Sequence, residues 1–147
     1  TKLTQLKDKV YAFLLPNDLY HLKNRASKKG DNSVGWLSYQ MGSVLNVKPI
    51  IQCYRGVTEP VDKALGYDKG LVKLFEKAKT AIENSLSVNV IVMSYAGDLN
   101  TIYDNEHYKN FIEFAKSKNV PTLMSIMSTT ASVNVGPGAF SIAYAGN

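Results

Sequence analysis

The sequence predicts an α/β domain whose mixed, largely antiparallel sheet is flanked by helices. Three observations carry this prediction. Short β-branched and aromatic runs recur along the whole chain, and such runs read as strands. Between them lie segments with apolar residues at helical spacing, the clearest running from about Tyr67 to Asn84. The Arg55-Gly56 pair separates two strand-like runs in the manner of a hairpin turn, which makes part of the sheet antiparallel.

The elements follow in order. Val10 to Leu15 is a strand stopped by Pro16-Asn17. A short helix comes next, with Asn17 as its cap, Asp18 near its positive end, and Leu19, Tyr20 and Leu22 on its apolar face. Ala26 to Ser33 reads as a polar loop, after which Val34, Trp36, Leu37, Met41, Val44 and Leu45 recur at helical spacing, with Trp36 expected to anchor a buried face. Val47 to Tyr54 is a strand whose Pro49 favours an edge or a strand start. Val57 to Val61 returns from the hairpin, and a loop through Gly66 leads into the long helix. Val88 to Tyr95 is the strongest strand of the chain. Ala96-Gly97-Asp98 then separates it from a second helix reaching about Lys118. Pro121 opens the strand Thr122 to Met127, and Ala139 to Tyr144 is the last strand. A Ser128-Thr129-Thr130 segment and a Gly-Pro-Gly loop lie between these two.

A chain of 147 residues that is 45% hydrophobic and 20% charged has the profile of one globular domain with an adequate core. No apolar run is long enough to span a membrane, and the first residues are not a signal peptide, so a cytoplasmic location is expected. The single cysteine, Cys53, lies among apolar residues, cannot form an internal disulfide and is expected to be buried filler. Thr1 is not an initiating Met, which leads us to expect a fragment preceded by another domain that holds half of any site. The net charge of +5 is spread over scattered lysines without interleaved aromatics, so nucleic acid is not an expected partner. There are only two arginines, Arg25 and Arg55, both near expected turns, where a planar guanidinium could serve a dedicated purpose.

Catalytic patterns are thin. His21 and His107 lack the spaced His, Cys or carboxylate partners that a metal needs, and a surface or capping role suffices for each. No G-x-S-x-G elbow, G-x-G-x-x-G or Walker lysine motif occurs. The glutamates fall on helix faces or near turns. We therefore expect no catalytic residue, no metal, no cofactor and no independent enzyme. The notable segment is Val133-Asn134-Val135-Gly136-Pro137-Gly138-Ala139. Proline fixes one φ, while the glycines permit close contacts that a Cβ forbids, so the loop suits a ligand or an ordinary tight turn.

Several segments together resemble the C-terminal domain of the DegV family. These are Leu19-Tyr20-His21-Leu22-Lys23-Asn24-Arg25-Ala26-Ser27, Val44-Leu45-Asn46-Val47-Lys48-Pro49-Ile50 and Asn134-Val135-Gly136-Pro137-Gly138, in family order and spanning most of the chain. The resemblance implies a bacterial fatty-acid-binding protein of two α/β domains. It implies that residues 1–147 form its C-terminal half, and that the N-terminal domain, with its Thr and Ser hydroxyls, is missing from the sequence. A long-chain fatty acid would lie between the domains, its carboxylate presented to a separate ATP-dependent fatty-acid kinase subunit. The binding protein itself would not be the catalyst.

On that resemblance the ligand-binding residues are Arg25, Ser27, Asn134, Gly136, Pro137 and Gly138. A carboxylate taken from water needs a paired cation, and guanidinium offers it two parallel hydrogen bonds. The competing role for Arg25 is to meet helix C-terminal carbonyls, and for Ser27 to bond local backbone. The chain departs from the family pattern in three places. Lys23-Asn24 replace two glycines, Asn134 replaces a histidine, and Ala64-Leu65 stand near where a basic residue often follows the hairpin. Asparagine can donate one amide hydrogen bond to a carboxylate but cannot carry charge or shuttle a proton. The alternative function is an interaction or dimerisation domain that has lost its ligand.

Overall fold

The computed structural model describes residues 2–22, 24 and 46–147. Its elements are α1 (Lys2–Leu6), β1 (Val10–Leu15), β2 (Val47–Tyr54), β3 (Val57–Leu65), α2 (Tyr67–Glu83), β4 (Val88–Tyr95), α3 (Leu99–Tyr103), α4 (Glu106–Ser117), β5 (Thr122–Ile126), α5 (Thr129–Val135) and β6 (Phe140–Ala145). A helical turn covers 20–22. The expected loop from Ala26 to Ser33 and the expected helix from Val34 to Leu45, with Trp36, lie outside the described residues.

The strands form one six-stranded sheet in the order β3-β2-β1-β6-β4-β5. Every neighbouring pair is antiparallel except β4 and β5, whose parallel pairing requires the crossover that α3 and α4 provide. This is the expected mixed, largely antiparallel α/β fold.

Alternation along the strands sends successive side chains to opposite faces. One face carries Phe13, Leu15, Ile50, Ile91, Met93, Phe140 and Ile142, all buried beneath α2 and α4. Leu71, Leu74, Phe75, Ala78 and Ile82 of α2 meet Tyr108, Phe111 and Ala115 of α4 above them. Phe75 stacks on Phe111 at 4.9 Å and sets its edge against Phe140 at 5.5 Å. Gly70 lets α2 settle onto β1, since a Cβ there would lie 2.5 Å from Leu15 Cδ1. Lys73 Nζ reaches Asp62 Oδ1 at 2.8 Å and ties α2 to β3.

The opposite face presents Val10 of β1, Ala143 and Ala145 of β6, and Val88, Val90 and Val92 of β4. Val10, Val88 and Val92 are exposed. At one end this face is closed by a smaller cluster, in which Leu14, Ala131 and Val135 pack against Ala96, Met127 and Ala139.

Several elements differ from the sequence reading. The returning strand β3 runs to Leu65 rather than Val61, because Ala64 and Leu65 pair with Lys48 and Val47. The second helix is two helices, since Asn105 starts α4 afresh by accepting from His107 N at 2.9 Å and Tyr108 N at 3.2 Å. The segment after β5 holds a helix, α5, started by Ser128, whose hydroxyl accepts from Ala131 N.

Pro49 sits in an interior strand, not an edge. It is the third residue of β2, and a register shift follows between Ile50 and Ile51. Cys53 is exposed rather than buried, because it falls on the uncovered face of β2 opposite Ala12. At the first turn it is Asp18, not Asn17, that supplies the cap, its Oδ1 accepting from Tyr20 N at 2.9 Å.

Candidate functional site

In open α/β sheets, ligands bind where the carboxyl ends of strands meet loops. Here β1 ends at Leu15, β4 at Tyr95 and β5 at Ile126. The Gly-Pro-Gly loop enters β6 at the same end of the sheet, since Phe140 pairs with both Leu15 and Tyr95. Backbone bonds lock the loop in place. Gly138 N donates to Ala96 O at 2.8 Å, Ala96 N to Ala139 O at 2.9 Å, and Gly136 N to Ser132 O at 2.8 Å, which closes α5.

Both glycines are required sterically. Gly136 has φ 87 and ψ 165, a region open almost only to glycine. A Cβ at Gly136 would stand 2.7 Å from His21 Cδ2. Gly138 has φ 77, and its Cβ would stand 2.8 Å from Asn17 Nδ2. The loop thus lies against the turn that follows β1, with Pro137 exposed at its tip. Lys48 Nζ fixes that turn from β2 by donating to Asn17 O at 2.6 Å, and Tyr20 sets its ring at right angles to His21, 5.5 Å away.

Asn134 lies in α5. Its Nδ2 donates to Thr130 O at 2.8 Å, so one amide hydrogen is committed to the helix backbone. Its Oδ1 is shielded from solvent and has no hydrogen-bond partner among the described residues. At the start of α2 the Tyr67 hydroxyl is likewise buried, with no hydrogen-bond partner among the described residues. Burial, reinforced by Tyr95 and Asp68, pushes that phenol well above its ordinary pKa, so it stays protonated.

The structure therefore brings Asn134, Gly136, Pro137 and Gly138 together. Arg25 and Ser27 lie outside the described residues. Asn17 and His21 are neighbours of the loop, and Lys48 is bonded to the turn that holds Asn17; the sequence reading assigned none of the three to the site. For His21 and Lys48 the signal was present, because both fall inside the segments that carry the family resemblance, whereas Asn17 precedes the first of them.

An apolar trough of about 200 Å³ lies on the uncovered sheet face, lined by Leu6, Val10, Val88, Val92, Ala143 and Ala145 among others. Between it and the loop runs a polar rung, in which the Ser94 and Ser141 hydroxyls are 2.7 Å apart. Two larger cavities, of about 320 and 480 Å³, lie between α2 and the sheet and share Phe13, Lys77, Thr80 and Tyr144. They are edged by charged and amide side chains and sit on the other face of the sheet. Of these three cavities, formed by described residues, the 200 Å³ trough has the lining that suits a hydrocarbon chain. No group of His, Cys, Asp and Glu able to hold a metal occurs among the described residues, and no helix there is long and apolar enough to cross a membrane.

Comparison with known proteins adds the family. A family model described as an uncharacterised protein of the DegV family matches residues 1–147. A DegV domain-containing protein of Xanthomonas axonopodis pv. citri is 38% identical over 145 residues, covering 99% of this chain and 46% of that protein. Another from Xanthomonas campestris pv. campestris is 37% identical over 144 residues, with 98% and 46% covered. This chain thus spans about half the length of these relatives.

Among solved structures, DegV of Bacillus subtilis, described as a fatty acid binding protein, superposes with a TM-score of 0.71 at 20% identity, covering 99% of this chain and 48% of that one. The fatty acid binding DegV family protein of Streptococcus agalactiae gives 0.70 at 18% identity, with 99% and 48% covered.

Proposed function

The chain belongs to the DegV family, and on that premise we propose that it is one wall of a fatty-acid-binding site rather than a catalyst. The observation that carries this reading is the apolar trough on the uncovered sheet face, in line with the Gly-Pro-Gly end of the sheet. Each methylene buried in such a trough contributes about 0.8 kcal/mol, so a long chain gains affinity where a short one does not. Related solved proteins described as fatty acid binding support the same reading.

In this proposal the acyl tail lies along Val92 and Ala143 toward Val88 and Ala145. The head group lies near α5 and the loop, where Asn134 and the backbone of Gly136, Pro137 and Gly138 meet it. Arg25 is the carboxylate partner and Ser27 its assistant. A second domain, preceding this one in the longer protein, closes the other side, and the complex presents the acyl carboxylate to a separate kinase subunit in the cytoplasm.

The test is a titration with oleate followed by melting temperature and by the fluorescence of the single tryptophan, Trp36. Ligand at a hundred times its Kd stabilises a protein by about 2.7 kcal/mol, which a melting curve resolves readily. A dose-dependent rise that disappears with a short-chain acid supports the proposal. No shift at any oleate concentration, together with concentration-dependent self-association, supports instead an interaction domain that uses the same apolar face.

A further inference from the structure

The two cavities between α2 and the sheet carry a positive charge that the fold leaves unmatched. Both are lined by Phe13 and Tyr144 from the sheet and by Lys77 and Thr80 from α2. The sheet side is aromatic across three neighbouring strands. Tyr54 of β2 stacks flat on Tyr11 of β1 at 4.6 Å, Tyr11 lies 6.1 Å from Tyr144 of β6, and Tyr144 lies 5.9 Å from Phe13. The last two contacts are tilted by 36° and 33°, so Tyr144 is splayed from its neighbours rather than stacked on them. Burial, with Tyr11 adding, pushes the Tyr144 phenol up to about 12, so it stays protonated and uncharged. Of the charged side chains that line these cavities, the two carboxylates already have lysines. Asp62 holds Lys73 Nζ at 2.8 Å, and Glu76 holds Lys79 Nζ at 2.8 Å. Lys77, one turn beyond Lys73 on α2, is left over. Its Nζ stands 5.5 Å from the centre of the Phe13 ring and makes no hydrogen bond or ion pair among the described residues, attracting Asp62 only at longer range. The side chain is half-buried, and an ammonium drawn from water without an anion beside it is costly.

We propose that this groove is a second binding site, on the opposite face of the sheet from the acyl trough and independent of it, for a small aromatic carboxylate. The carboxylate pairs with Lys77 Nζ, and the ring lies against Tyr144 and Tyr11 toward Val61 and Ala81. Volumes of about 320 and 480 Å³ fall in the range that small ligands occupy. A ring gains attraction from the aromatic side chains beyond the area it buries. A long hydrocarbon tail fits less well, because Gln52, Asn84 and Asn147 edge the smaller cavity with amides.

The experiment is calorimetric titration of the full chain with 2-naphthoate, with its neutral counterpart 2-naphthamide and with its saturated counterpart decahydro-2-naphthoate. The native protein is expected to bind 2-naphthoate about tenfold more tightly than the amide, the scale of one charge-assisted pair, and about threefold more tightly than the saturated acid. Lys77→Gln is expected to erase the preference over the amide and Lys77→Arg to keep it, with melting curves showing both variants folded. Saturating oleate is expected to leave naphthoate binding unchanged. Equal binding of 2-naphthoate and the amide, or a preference that survives Lys77→Gln, overturns the role of Lys77. Tighter binding of the saturated acid overturns the aromatic class. Displacement of 2-naphthoate by oleate moves it to the trough and overturns the second site while leaving acyl binding intact. No binding of 2-naphthoate overturns the proposal, whatever oleate does at the other face.

Discussion

Along β4 the side chains alternate between two surroundings. Ile91 and Met93 vanish beneath α2 and α4, at 0% and 1% exposure, while Val88 and Val92 on the reverse face keep 39% and 42%. The strand is apolar on both sides, yet only one side is spent on the aromatic core of Phe75, Phe111 and Phe140. The difference separates two purposes that the sequence writes in the same residues. Burial under helices holds the fold together, and Val88 and Val92 on the other side stay exposed, the kind of apolar surface that marks interaction sites.

Substitutions can break or sharpen this contrast. The largest effect is expected from Phe111→Ala, which empties the centre of the covered face. Such changes cost about 3–5 kcal/mol, and urea unfolding should show it as a clear fall in midpoint. A loss below about 1 kcal/mol would mean that the covered face does not dominate stability.

Gly136→Ala comes next, because it forces a side chain into a backbone region of order 1–3 kcal/mol above the ordinary ones and against His21. In a thermal-unfolding cycle, His21→Ala should restore the steric part of this loss and leave the backbone part. Full restoration would remove the conformational argument. Asn105→Ala should cost about 1 kcal/mol by stripping the cap from α4, whereas Asn105→Asp should be close to neutral.

Smaller still is Asp62→Asn, which removes the charge opposite Lys73 while leaving its bond to the Lys63 carbonyl. The pair is partly exposed, so its loss should stay under about 1 kcal/mol. Burial by itself raises the Asp62 carboxyl, but hydrogen bonds from Lys73 and the Lys63 backbone, with Lys73 and Lys77 charges, hold it below its ordinary range. A lowered folded pKa gives stability that is present above the unfolded value and lost as pH falls through the folded one. The native protein should therefore show an acid-side decline that the variant lacks. The smallest stability change, within about 0.5 kcal/mol, is expected for Val92→Ser on the open face. That same variant should weaken the melting-temperature response to oleate, and a large destabilisation would show that the open face carries folding energy after all.

Much of the fold was legible because it is written locally. The runs of β1, β2 and β4, the Arg55-Gly56 hairpin and the apolar period of α2 need only neighbours in sequence. What failed depended on partners far along the chain. β3 extends to Leu65 because Val47 and Lys48 stand opposite to pair with it. Cys53 looked buried because alternation reveals two faces without revealing which one the helices cover. Continuous apolar spacing hid the break at Asp104-Asn105, although an asparagine ahead of Glu106 is ordinary capping chemistry. α5 escaped notice because Thr, Ser, Val and Asn are weak helix formers, and it needed Ser128 and the cluster around Met127 to exist. In the site, the glycines announced a close approach, but only the structure supplied Asn17 and His21 as what they approach.

The strand order carries one more consequence. β6, the last strand in the chain, lies between β1, the first, and β4. Until it arrives, β1 to β3 and β4 to β5 are two separate ribbons with unpaired inner edges. The pairing that joins them spans nearly the whole sequence, the kind of contact that forms late and slowly. The two ribbons therefore become one sheet only once β6 pairs with both, and the Gly-Pro-Gly turn that delivers β6 is also the step that closes the sheet.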